Sequence, residues 1–198
     1  IGTLSIGCFG QKSVEKDSII REIERLQSEL NIAREKLTEI ERKELTENFK
    51  FLERLTIEKD EFTGTIKYYS SDFEHNLRSN KISLIIYERN KQFSLYMKIS
   101  YSGKDYFGLE HAYLNSDGNS HMLYGLDSDF DCDGYGSWEW ANKCLYESDI
   151  EFIRKLTDGS SSKIRIVGHQ YYIDRSISQE EIKAMDEVLK AYDYLKSK

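Results

Sequence analysis

From residue 14 to residue 56 the chain runs without a glycine or a proline and is dense in Glu, Lys, Arg and Leu, a composition that commits it to helix. Within that run Ile19, Ile23, Leu26, Leu30, Ala33, Leu37 and Ile40 follow spacings of 4, 3, 4, 3, 4 and 3 residues, which is a heptad seam. With Ile23, Leu30 and Leu37 at the a positions, Glu22, Glu29, Lys36 and Lys43 fall at g, and Gln27, Arg34 and Glu41 at e. A g residue of one parallel strand faces the following e residue of its partner, so Glu29 meets Arg34 and Lys36 meets Glu41, both attractive pairs. The seam ends after Ile40, where Glu44 and Glu47 take the next expected positions and Leu45, Phe49, Leu52 and Leu55 continue on a shifted face. The expectation is a coiled-coil-like helix over 13–57 that makes the chain a homo-oligomer, or engages an envelope partner, and docks on a globular domain where the face shifts. The same seam also suits a single helix packed along its own domain.

The rest of the chain changes period. Phe93, Leu95, Met97, Ile99 and Tyr101 alternate with polar neighbours, the signature of a half-buried strand. Further strands are expected over 65–69, 82–87, 106–114 and 121–126, joined by short polar turns, which implies antiparallel neighbours and a meander. A helix near 147–156 and strands over 163–167 and 170–173 follow. The last element is a helix with Ser178 as N-cap, Glu181 completing a capping box, and Ile177 with Ile182 as a hydrophobic staple. With 198 residues, 39% hydrophobic and 13% aromatic, the chain has material for one core plus an extended segment. Proline is absent, although average usage of about 5% would place roughly ten here. The fold class read from these patterns is α+β, with a long N-terminal amphipathic helix and an antiparallel β-meander domain over 58–198 packed by a C-terminal helix.

Residues 1–10, IGTLSIGCFG, are small and apolar without a charge, and the composition switches to charged helix at Gln11-Lys12. This reads as the end of an export signal spanning 1–12. Two processing routes fit. Ser5-Ile6-Gly7-Cys8 resembles a lipobox, with Cys8 as the lipidated residue, although Ser5 departs from the Leu usual there. Cys8-Phe9-Gly10 instead is a small-x-small site with cleavage before Gln11, and the stretch resembles exported proteins of Bacteroidetes-type bacteria. Either route places the protein in the periplasm, at the outer membrane or outside the cell. A lipid at Cys8 is the one membrane attachment in this reading. With Cys8 lipidated or removed, Cys132 and Cys144 remain, and in an oxidising compartment they are expected to close a disulfide loop. The plain alternative is two free thiols. The ending, from Lys163-Ile164-Arg165-Ile166-Val167-Gly168 through Tyr171-Tyr172-Ile173-Asp174 to Asp186-Glu187-Val188-Leu189 and Tyr192, resembles the strand-hairpin-helix close of uncharacterised bacterial envelope proteins. That resemblance implies a compartment and supplies no catalytic residue.

Chemistry is sparse. The net charge of −7 disfavours nucleic-acid partners, because no basic field exists to attract phosphate. His75, His111, His121 and His169 stand in no recognisable nucleophile-base motif, and His111, sharing an alternating face with Phe107, Leu109 and Tyr113, reads as a half-buried core histidine. Trp138-Glu139-Trp140 places two indoles on one side of a strand, which reads as core and also offers a stacking platform for a sugar or peptide. The acidic run is the remaining candidate. Asp127, Asp129, Asp131 and Asp133 alternate ahead of Gly134, matching the first half of an EF-hand-type loop, so weak calcium binding is expected there, beside the plain reading of a solvated acidic hairpin tip. The function expected is a non-enzymatic extracytoplasmic envelope or interaction module that oligomerises through its helix. The alternative is a hydrolase or carbohydrate-binding accessory protein using the aspartate run with Trp138 and Trp140.

Overall fold

In the computed structural model residues 9–71, 79–133 and 135–197 are described, the side chains of 9–15, 17 and 41–50 excepted. Two compact units divide the chain, Ile1–Asn48 and Phe49–Lys198. The first unit is built on helix α1 (Phe9–Glu53). Uninterrupted helix formers sustain it, and Arg25 reaches both Glu22 at 2.7 Å and Glu29 at 2.6 Å on its surface. The helix stops at Glu53, a little before the sequence pattern suggests. Leu55 and Thr56 instead open strand β1 (Leu55–Lys59), and β-branched Thr56 and Ile57 suit that role.

The second unit continues with β2 (Ile66–Ser70), β3 (Ile82–Arg89), β4 (Gln92–Gly103), β5 (Leu109–Ser116), β6 (Asn119–Leu123), β7 (Asp127–Cys132) and β8 (Ser137–Cys144). Helix α2 (Glu147–Asp158), the hairpin β9 (Ser162–Gly168) and β10 (Tyr172–Ser176), and helix α3 (Gln179–Lys196) complete it. The antiparallel expectation holds at every pairing among the described strands. The strands nevertheless divide between two sheets, ordered β1-β2-β3-β4-β8-β7 and β10-β9-β5-β6, where a single meander is expected from the turns. Short turns fix which consecutive strands form hairpins. They say nothing of the long-range pairings β4 with β8 and β5 with β9, which set the sheet order.

One contiguous core joins both sheets and both helices of this unit. Leu95, Met97 and Ile99 of β4 stand in register with Ile86, Leu84 and Ile82 of β3, and all six are buried. The same cluster takes in Ala112 and Leu114 of β5, Ile164 and Ile166 of β9, Ile153 and Leu156 of α2, and Met185, Val188 and Leu189 of α3. Helix α3 lies on β2, β3 and β4 and against α2, which packs on β5 and β6. Its start matches the sequence: Glu181 N–H donates to Ser178 Oγ at 3.1 Å, Ser178 N–H donates to Glu181 Oε2 at 2.9 Å, and Ile177 is buried in the core cluster against which Ile182 packs. His111 is placed differently from its expectation. The register of β5 against β9 shifts between Leu109 and His111, so Leu109 is buried while His111 turns to the outer face beside Tyr113, ring centroids 5.4 Å apart.

Candidate functional site

Every described side chain of α1 from Ser18 to Ile40 is exposed. The seam shares in this, with Ile19, Ile23, Leu26, Leu30, Leu37 and Ile40 each between 48% and 56% exposed. A globular surface helix normally buries such a stripe against its own core. Here an unbroken apolar row on one helix face is open along its length, flanked by the charged g and e positions.

The second candidate is the β7–β8 hairpin, and its parity is the reverse of the expected one. Along β8, Glu139 and Ala141 point to the core side, in register with Tyr101 and Ile99, while Trp138 and Trp140 point to the opposite sheet face with Ser102 and Ser100. Burial expected of both indoles is met at Trp138 and only in part at Trp140. Trp138 is 9% exposed and Trp140 half-buried, and neither belongs to the core cluster. On the neighbouring strand Asp129 stands opposite Trp140, Asp131 opposite Trp138 and Asp127 opposite Asn142, so acids and indoles do share a face. Residues 127–132 form a strand where a loop is expected. In a strand, alternate residues stand about 6.7 Å apart, whereas calcium oxygens lie about 2.3–2.6 Å from a shared ion. Among the described residues no three His, Cys, Asp or Glu side chains converge as a metal set. The carboxylates turn instead to local backbone: Phe130 N–H donates to Asp129 Oδ1 and Cys132 N–H to Asp131 Oδ1, both at 2.8 Å, and Tyr135 N–H to Asp133 Oδ1 at 3.1 Å.

Glu139 is the functional surprise of this hairpin. It is 2% exposed, and its carboxylate accepts the N–H of Phe107 and, at 2.9 Å, that of Leu109. These donors flank Gly108, whose φ of 69° only glycine adopts readily and whose added Cβ would meet the His169 ring at 2.9 Å. A strand of the larger sheet thereby holds the start of β5 in the smaller one.

The expected disulfide is absent: Cys132 and Cys144 are free and exposed. Cys132 pairs with Ser137 at one end of β8 and Cys144 closes the other end, opposite Tyr96. The length of β8 separates them by about 23 Å at strand rise, where a bridge needs Cα atoms within about 7 Å. Cys8 and His75 lie outside the described residues. Of the other histidines, His121 Nε2 contacts Asp149 Oδ1 at 2.7 Å and its ring stacks on Phe152 at 5.0 Å, fastening β6 to the first turn of α2. His169 Nδ1 meets Glu110 at 2.8 Å on an open surface. Both rings are engaged by carboxylates. On the outer face of the smaller sheet, Arg165 Nε and Nη2 donate to Asp174 at 2.6 Å each and its guanidinium lies 4.1 Å from the Tyr172 ring centroid. That pairing raises the Arg165 pKa and lowers that of Asp174, and both groups are solvent-exposed, so it contributes little to stability. No described helix is long and apolar enough to cross a membrane. Compared with protein-family models, with curated proteins and with solved structures, the chain matches none.

Proposed function

We propose that this protein is a non-enzymatic interaction module that self-associates through α1 as a parallel coiled coil and presents its α+β unit as the binding part. One observation carries the reading: the seam from Ile19 to Ile40 is apolar, heptad-spaced and exposed. Each seam side chain is about half exposed, so covering it recovers on the order of 1 kcal/mol per residue and per copy. Charge favours the parallel arrangement, with Glu29 set toward Arg34 and Lys36 toward Glu41 of the second copy. Non-catalytic action is supported by the spread of the β7 acids along a strand and by histidines that meet carboxylates and rings. Placement in the envelope is part of the same proposal and rests on the composition of residues 1–10, since the free Cys132 and Cys144 add nothing to it.

Sedimentation velocity tests association. Wild-type protein at about 50 µM should run as a dimer or trimer, and Leu30→Lys with Leu37→Lys should run as a monomer that keeps the near-ultraviolet circular dichroism of the folded α+β unit. A monomeric wild type at that concentration overturns the proposal.

A further inference from the structure

The strand β7 ends the six-stranded sheet, and all six of its residues are exposed. A free edge offers unpaired backbone groups to any extended chain, and proteins that expose one obstruct it. This edge also carries Phe130, 53% exposed, and the free thiol of Cys132, so its side chains alone would not discourage pairing. We propose that Asp129 and Asp131 close the β7 edge against strand addition by a second copy of this chain. They do so in two ways. Their Oδ1 atoms take the N–H groups of Phe130 and Cys132 at 2.8 Å, donors that an incoming strand would otherwise use. With Asp127 they also set like charges at every second position, so two copies of this edge repel when aligned. The alternating acids that resemble half a calcium loop are on this view spaced by the strand period, one carboxylate ahead of each apolar edge residue.

The inference does not rest on the coiled coil, and its test removes that variable. In full-length protein carrying Leu30→Lys and Leu37→Lys, Asp129→Ala with Asp131→Ala should raise the self-association constant by about tenfold or more and slow amide exchange across 127–132 as concentration rises. Asp129→Asn with Asp131→Asn keeps an acceptor and removes the charge. Association below that of the alanine pair assigns part of the obstruction to donor occupation, and equal association of the two pairs overturns that part. Near-ultraviolet circular dichroism establishes that each variant is folded. An alanine pair that stays monomeric to about 500 µM, with amide exchange in 127–132 unchanged, overturns the proposal outright.

Discussion

A single buried acid shows how far residue chemistry departs from residue pattern in this chain. In Trp138-Glu139-Trp140 the apolar residues invite an inward reading, yet the carboxylate takes the side of the core cluster and the indoles the opposite sheet face, where Trp138 is still buried. The physical reason is the pair of backbone donors at Phe107 and Leu109, which lie where β5 begins and give their N–H groups to the Glu139 carboxylate. A buried carboxylate that accepts two N–H groups is a satisfied group, and hydrogen bonds to a charged acceptor contribute about 1.5–3 kcal/mol each. Glu139→Ala leaves both donors unmet in the interior and should destabilise the protein by about 3 kcal/mol, read as a shift in urea midpoint at unchanged slope. Glu139→Gln keeps one acceptor and should cost about half as much. An alanine variant within about 0.5 kcal/mol of wild type would show that the two N–H groups find other partners. The position was illegible beforehand because parity along a strand is read relative to a core, and which side of β8 faces the core depends on its pairing with β4. His111 misleads for a related reason, since one bulge beside Glu110 inverts the alternation on which its inward reading rests.

At the scale of elements, local signals were sufficient wherever an element is specified by its own residues. The α3 cap is legible because Ser178, Glu181, Ile177 and Ile182 sit within one turn of each other, and strand β4 is legible because its alternation is unbroken over ten residues, 92 to 101. What local reading misses is the second duty of Glu181. Beyond the cap it accepts Arg175 Nη2 at 2.7 Å and Nη1 at 2.8 Å, and the N–H of Ile82 at 2.9 Å, so one carboxylate joins β10, α3 and the start of β3. Burial pushes its pKa up, but the Arg175 guanidinium and the two N–H donors outweigh that and hold it below the ordinary carboxylate value of 4.5. A depressed folded-state pKa contributes stability that is present above the unfolded value and is lost as pH falls through the folded one. Unfolding free energy should therefore decline as the pH drops below about 4.5, and Glu181→Gln should flatten that decline while lowering stability near neutrality. Urea titrations from about pH 7 to about pH 3 measure both, and an equal acid slope in the two proteins would assign the loss to other carboxylates. The sequence of β7 reads as a loop for the opposite reason to α3: aspartates rarely form strands, and only the pairing with β8 makes them one.

For the whole molecule, the division into a helical and an α+β part is visible in the sequence as a change of period from heptad to two, and the chain divides into its two compact units between Asn48 and Phe49. The arrangement of the ten described strands in two sheets is not visible, because it depends on pairings between segments far apart in the chain, β4 with β8 across β5, β6 and β7, and β5 with β9 across β6, β7, β8 and α2. The division has an energetic consequence. No described side chain from Ser18 to Ile40 is buried, whereas Phe51 and Leu55, from the last turn of α1 and the start of β1, belong to the core of the second unit. Loss of residues 1–48 therefore removes the whole seam and leaves Phe51 and Leu55 in place. The fragment Phe49–Lys198 should unfold cooperatively with a Tm within about 3 °C of the full-length protein measured in its Leu30→Lys, Leu37→Lys form, and should sediment as a monomer at every concentration tested. Comparison with that monomeric form matters, since association raises the Tm of wild type with protein concentration by mass action. A fragment that is folded yet still dimeric would move the association surface from α1 to the α+β unit. One that loses cooperative unfolding would show that residues 1–48 cover part of its apolar surface in solution, and would make the seam an internal contact.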